Sequence, residues 1–170
     1  MKFKMTHDFN WPLEKLIPVL AGDEEVLNME DMPNVSSRKE IERRWEGKKL
    51  FKKFAWNVHG QIPQVAQKII RPEMLNFIEH SVWDNEKYMF DTKIEPHFLK
   101  KQIICSTTSR WAKLTEGKSR RQFEGTLEIK IPLIGQLVEG AIIDHLKKNV
   151  EKGAVDLKNV FVKKVGPPTE

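Results

Sequence analysis

Gln122-Phe123-Glu124-Gly125-Thr126-Leu127-Glu128-Ile129-Lys130-Ile131-Pro132-Leu133-Ile134-Gly135 decides the fold, together with the run that follows it to residue 163. Phe123, Gly125, Leu127, Ile129 and Ile131 fall on one side of a period-two alternation, and Gln122, Glu124, Thr126, Glu128 and Lys130 on the other. Successive side chains of a strand point to opposite faces, so this is the pattern of a half-buried antiparallel strand. Beyond Pro132 the period changes. Ile134, Leu137, Val138, Ala141, Ile142, Leu146, Val150, Ala154, Leu157, Val160 and Phe161 recur at steps of three and four, which predicts an amphipathic helix over 134–161. At about 1.5 Å per residue it is roughly 40 Å long, enough to cross a small domain.

Upstream, Phe3, Met5, His7 and Phe9 alternate with Lys2, Lys4, Thr6 and Asp8, giving a first strand over 2–9. Asn10 as cap and Pro12 as a helix-start residue predict a short helix over 11–20. A second is expected over Asp23–Glu30, with three carboxylates in its first turn and Met32-Pro33-Asn34 as its stop. From Val35 the chain reads as antiparallel strands near 35–45, 48–58, 75–83, 87–95, 101–114 and 119–131. Their hairpin turns are Glu46-Gly47, Asp84-Asn85-Glu86 and Glu116-Gly117. Gln61–Arg71, bracketed by Pro63 and Pro72, reads as a short helix or an ordered loop. A twisted sheet must cover its apolar face, and the long C-terminal helix is the one element of sufficient length. The fold class is therefore α+β: a curved seven-stranded antiparallel sheet wrapped around a long C-terminal helix, with two short helices after strand 1.

With 170 residues and 39% hydrophobic composition, the chain is expected to form one domain over 1–165, with 166–170 as a flexible tail. No apolar run reaches the roughly 20 residues a bilayer span requires, and the first residues lack a secretion-signal centre. A single cysteine, Cys105, fits a reducing compartment, so a cytoplasmic location is expected. The net charge of +5 is spread over Lys and Arg pairs mostly beside carboxylates, the arrangement of solvated faces. Zinc-finger and glycine-flanked RNA motifs are absent, so nucleic acid is not an expected partner. Transient contact with an anionic membrane surface is an open alternative, through Lys48–Lys53 and Lys147-Lys148.

In order and length of elements the chain resembles the START-like superfamily, also called helix-grip or SRPBCC proteins. That group includes steroidogenic-acute-regulatory lipid-transfer domains, birch-pollen-allergen-like proteins and polyketide aromatase/cyclases. More closely, Glu79-His80-Ser81-Val82-Trp83-Asp84 and Gly125 through Glu139 resemble an uncharacterised bacterial START-like family. The resemblance implies a deep cavity between sheet and terminal helix for a hydrophobic ligand, with no shared catalytic signature and no cofactor.

The inner strand faces are expected to carry Ile41, Trp45, Phe54, Trp56, Trp83, Tyr88 or Phe90, Trp111, Phe123 and Leu127. Each ring either fills a core or lines a pocket. Lys39 and Arg43 alternate in phase with Ile41 and Trp45, and Glu79 and Ser81 with Phe77 and Trp83. Such groups must be paired, solvated in a cavity, or turned outward by a bulge. On the helix, Gly140, Ala141, Gly153 and Ala154 either make room for a ligand, pack closely on the sheet, or mark a break. His145 is expected on the inner side, as a ligand donor or acid/base, or as a satisfied structural histidine. The five histidines show no metal spacing. The expected ligand-binding set is Ile41, Arg43, Phe54, Trp56, Glu79, Trp83, Phe90, Trp111, Phe123, Leu127, Leu137, Ala141 and His145.

These residues support binding, with transfer or sensing, of a hydrophobic lipid-like molecule. The alternative is a cyclase/aromatase-like or hydrolase-like enzyme in which His145, Glu79 or Tyr88 moves protons. Gates for entry are expected at 60–72 and near Asp84-Asn85.

Overall fold

A computed structural model describes residues 1–21, 35–59, 64–65, 67–68 and 70–170. Its elements are β1 (Lys2–Phe9), α1 (Leu13–Leu20), β2 (Val35–Glu46), β3 (Lys49–Val58), β4 (Phe77–Asp84), β5 (Met89–Pro96), β6 (Ile103–Thr115), β7 (Lys118–Ile129) and α2 (Gly135–Lys164). A 3-10 turn at Pro72–Leu75 precedes β4. The seven strands form one antiparallel sheet in the order β1-β7-β6-β5-β4-β3-β2. The helix expected over Asp23–Glu30, its Met32-Pro33-Asn34 stop and much of 61–71 lie outside the described residues.

Two local readings change. α1 begins at Leu13 with Pro12, not Asn10, at its cap, and no side chain caps it. Instead the Asn10 carbonyl accepts from the Thr169 N–H at 2.6 Å. The Trp11 indole N–H donates to the Gly166 carbonyl at 3.0 Å, so the terminal residues expected to hang loose are tied back to the β1–α1 corner.

α2 packs chiefly on β7, with further contacts to β1 and α1. Its C-terminal half closes a core of Phe9, Trp11, Leu16, Leu50, Trp83, Trp111, Ala154 and Phe161. Phe161, fully buried, lies edge-on to Phe9 and Trp11 with ring centres 5.6 Å away in both cases. The N-terminal half closes a second core of Phe3, Ile70, Leu127, Ile129, Val138 and Ile143.

The strand-to-helix join sets the angle of α2. Pro132 cannot donate to a ladder, so β7 stops. Leu133 then takes a left-handed φ of 72° and the Gly135 N–H returns to the Ile131 carbonyl at 2.9 Å. A Cβ on Gly135 would run into the Ile129 carbonyl oxygen. One turn on, Glu139 reaches back, and its Oε1 accepts the Ile129 N–H at 2.6 Å. That hydrogen bond holds the Glu139 carboxyl below the usual carboxylate range.

α2 runs unbroken through Gly140 and Gly153. Among the described residues, a Cβ at Gly153 would meet nothing within 4 Å, and one at Gly140 only the Met1 side chain at 3.9 Å, so neither glycine serves close packing on the sheet. The two ends of the helix therefore respond oppositely to alanine. Gly153→Ala is expected to raise unfolding stability by about 1 kcal/mol in urea titrations, from helix propensity alone. Gly135→Ala is expected to lower it by about 1–3 kcal/mol through backbone displacement. Equal effects would contradict this account of the join.

Candidate ligand-binding site

In an antiparallel sheet, directly opposed residues share a face, so the pairings can be read as rows across the strands. One row runs Arg43, Lys52, Ser81, Thr92, Thr107, Gly125, Phe3 from β2 to β1. Its middle four members are small. The next row toward α1 is Trp45, Leu50, Trp83, Phe90, Ser109, Phe123, Met5, and the next on the opposite side is Glu40, Phe54, Glu79, Ile94, Cys105, Leu127. Phe3, Leu50, Phe54, Trp83 and Leu127 are buried, which makes this the concave face. Thr92 and Thr107 are only half-buried, although they stand at the middle of the sheet between the two cores. A floor of small side chains thus separates two aromatic and aliphatic ends.

Most expected residues meet on this face: Arg43, Phe54, Trp56, Glu79, Trp83, Phe90, Trp111, Phe123 and Leu127 all belong to its rows. Trp83 and Trp111 lie inside the first core and Leu127 inside the second, so these three also fill space. Three expected residues point elsewhere. Ile41 is 51% exposed, because the register between β2 and β3 shifts between Glu40 and Glu42. That irregularity is a bulge, and it inverts the phase of β2. Arg38 and Glu40 face inward before it, Arg43 and Trp45 after it, while Lys39 lies opposite Ala55 on the outer face. Leu137, 62% exposed, and His145 face solvent. At about 3.6 residues per turn they fall away from the stripe of Glu139, Ile143, Leu146, Ala154 and Phe161 that α2 turns inward. Ala141 is half-buried.

The β2–β4 end of the face is polar. Arg38 lies with its guanidinium carbon 3.7 Å from the centre of the Phe54 ring and 5.0 Å from Trp56, covering both. Arg43 Nε donates to Glu40 Oε1 at 2.5 Å. Lys52 Nζ is 5.4 Å from the Phe90 ring. Burial pushes the Lys52 ammonium below its usual range, and Arg43 and Arg38 add to the shift. Burial pushes the Glu79 carboxyl up, against the pull of Arg38 and Lys52. The Trp56 indole nitrogen, buried and without a partner in strict hydrogen-bond geometry among the described residues, faces the same carboxyl. The cluster sets Arg38, Arg43 and Lys52 among Glu40 and Glu79, with the acid Glu79 shifted up and the base Lys52 shifted down.

Arg38, Lys52 and Thr92 were not among the expected site residues, and Ser81 and Thr107, readable as polar groups in phase or on the central strand, lie outside the expected ligand-binding set. Their sequence signal is the period-two phase of Phe54, Trp83 and Phe90, which Lys52, Ser81 and Thr92 share. Of the basic stretch at 48–53, Lys48 pairs outward with Glu86 at 2.6 Å while Lys52 turns inward, so that stretch is not one surface patch.

The sign of the Glu79 shift fixes a pH dependence. A carboxyl whose folded value is raised holds its proton longer in the folded state. Its stabilising contribution is complete below the unfolded value and is lost as pH rises through the folded one. Glu79→Gln cannot lose a proton. Its unfolding free energy relative to wild type is therefore expected to improve as pH rises above about 4, the unfolded carboxylate value. A pH-independent difference in denaturant titrations would contradict the burial of that carboxyl.

The sequence matches the family model described as a protein of unknown function, DUF2505, over residues 4–158, and the chain belongs to that family. No curated protein matches it. Among solved structures it is similar to a protein from Thermus thermophilus, with TM-score 0.64, 19% identity, and coverage of 94% of this chain and 95% of that one. Norcoclaurine synthase from Thalictrum flavum, in complex with dopamine and hydroxybenzaldehyde, gives TM-score 0.69 at 12% identity over 96% of this chain and 87% of its own. The ZhuI aromatase/cyclase from Streptomyces sp. R1128 gives 0.56 at 13% over 97% and 93%. At such identities the likeness is one of fold, the helix-grip arrangement.

Proposed function

We propose that this DUF2505 protein binds a hydrophobic, lipid-like small molecule on the concave face of its sheet, beside α2, and that it carries or senses this molecule. The observation behind the reading is the half-exposed floor of Thr92 and Thr107 at the centre of the sheet, between two separate cores. Interiors normally pack at crystal-like density, and small side chains at the middle of a curved sheet leave volume that rings at either end do not fill. Phe90 and Phe123, both half-buried, would wall the ligand, and Ser109 and Thr107 would offer hydroxyls. Two neighbours of this fold have names that fit small-molecule chemistry: the synthase held with dopamine and hydroxybenzaldehyde, and the aromatase/cyclase. A single domain over 1–165 acting in the cytoplasm is part of the proposal, as is a secondary approach to anionic membranes through the exposed Lys147-Lys148. Among the described residues, no helix is long and apolar enough to cross a membrane.

The second reading is an enzyme in the same space. It draws on Glu79 and Lys52, an acid and a base in neighbouring rows of one face whose values shift in opposite directions. His145, solvent-exposed, has no part in it.

Filling the floor tests the binding reading. Protein stripped of co-purified lipid is titrated with dodecanol by calorimetry, and Thr107→Phe is expected to weaken binding by about tenfold or more. The circular dichroism spectrum of the variant should match wild type. Unaltered affinity in a folded variant would remove the concave face as the site. Release of an aromatic product from a polyketide-like substrate, lost in Lys52→Met, would favour the enzyme.

A further inference from the structure

Arg121 belongs to the concave face and to no part of the cluster just described. It stands on β7 between Trp111 of β6 and His7 of β1. Only 8% of its surface is exposed. Its guanidinium carbon lies 5.8 Å from each of three rings, those of Phe9, Trp111 and Phe123. Phe9 and Trp111 belong to the core under α1, while Phe123 packs against the core at the other end, so the cation sits at the boundary between them.

Its protein partners do not satisfy it. Nη2 donates to His7 Nδ1 at 3.1 Å. A guanidinium only donates, so Nδ1 accepts and the imidazole proton sits on Nε2, 3.2 Å from Glu151 Oε1 on α2. Glu151, the one carboxylate facing the group among the described residues, stands at that distance from a His7 Nε2 that has no partner in hydrogen-bond geometry there, and forms no ion pair with the guanidinium. Buried Nε finds no acceptor among the described residues, and neither does the fully buried Ser119 hydroxyl beside it. Lys158 of α2, 5.7 Å over the Phe9 ring, adds a second cation from above. Two cations thus face one carboxylate in a greasy surround. Burial pushes the Arg121 guanidinium down to about 10, against the opposing pull of Glu151.

An interior cation with no carboxylate bonded to it is costly, and it persists where something compensates it. The three rings do so in part through their negative faces. The remaining donors form the planar fork that suits a carboxylate. The Lys52 end lacks this property, because Glu40 and Glu79 already stand among its cations. We propose that the ligand of the concave face is an amphiphile with a carboxylate head, bound head-inward by the Arg121 guanidinium with its apolar part along Phe123 and the Thr107 floor. This rests on the binding reading above and narrows it to a chemical class.

The test compares dodecanoate, dodecanol and dodecylamine on the stripped full-length protein at neutral pH by calorimetry. Dodecanoate is expected to bind at least about tenfold more tightly than dodecanol, and dodecylamine most weakly. Arg121→Met should erase that preference while leaving dodecanol affinity intact, and Arg121→Lys should keep part of it. A measurement on the wild-type protein needs no variant to fold: the Arg121 Nε–H resonance in a nitrogen-edited spectrum should shift with dodecanoate and stay in place with dodecanol. Equal binding of dodecanoate and dodecanol overturns the carboxylate assignment and leaves the hydrophobic-ligand reading standing. A carboxylate preference that survives Arg121→Met, or an unmoved resonance at saturating dodecanoate, moves the anion elsewhere and overturns the role of Arg121. Binding of none of the three overturns both readings together.

Discussion

Everything on the concave face depends on where α2 lies, and that is governed by the reach of Glu139 back to the Ile129 N–H. A hydrogen bond to a charged group contributes about 1.5–3 kcal/mol, while burying Phe161 at the other end of the helix contributes a comparable or larger amount. Their effects differ in kind. Phe161 says that α2 must cover the β1–β7 side, since Phe9, Trp11 and Trp111 await its ring there. Glu139 and the Gly135 turn say at which angle it leaves the strand. Together they pin the helix over one side of the curved sheet, and the small-residue row runs out from under it toward β2.

The second constraint is electrostatic. A concave sheet face that only filled space would be apolar throughout, because unpaired polar groups in an interior cost more than the cavity they avoid. Here that cost is met only in part, and differently at the two ends of the face. At the β2–β4 end, Arg38, Arg43 and Lys52 stand among Glu40 and Glu79, and the shifts of Lys52 and Glu79 move both groups toward neutrality. Under α2, His7 lies between Glu151 and Arg121 and accepts from the latter, and burial together with the Arg121 charge holds His7 below its usual range. Protonating His7 would place two cations in contact.

The strand and helix pattern was legible because it rests on period alone: Phe123 to Ile131 alternate, and the stretch after Pro132 steps by three and four. What period does not carry is phase. In β2 the bulge beside Ile41 inverts which side chains face in, and nothing in Lys39-Glu40-Ile41-Glu42-Arg43 marks the extra residue. In α2 the stripe is broad enough that Leu137 and His145 look inward by spacing, and only the seating of the helix on β7 and β1 decides between the two edges of the stripe. Asn10 reads as a helix cap by type, yet its carbonyl is committed to Thr169, a partner from the far end of the chain. Arg121 is the reverse case. It alternates in phase with Phe123 and Gly125, so its inward direction was readable, but a charge at such a position is easily assigned to solvent until its aromatic neighbours from β1 and β6 are known.

The same contacts narrow how a guest reaches the floor. The β4–β5 turn, expected as a gate, is closed by its own hydrogen bonds. Asp84 Oδ1 accepts the Glu86 and Lys87 N–H groups, Asn85 Oδ1 accepts from the Trp83 indole, and the Asn85 N–H reaches the Lys48 carbonyl at 2.9 Å. Opening it would break all four at once. Lifting α2 is no easier, since its first turn is tied to Ile129 and its last turns bury Phe161. The small-residue row continues from Thr92 through Ser81 to Lys52 and Arg43 on the β2 side, so a guest entering along the sheet would cross these side chains. Such a route carries a carboxylate head past Lys52 and Arg43 before it meets Arg121. Arg43 on the β2 side would draw an anion in, and its ion pair with Glu40 would keep it from retaining the anion.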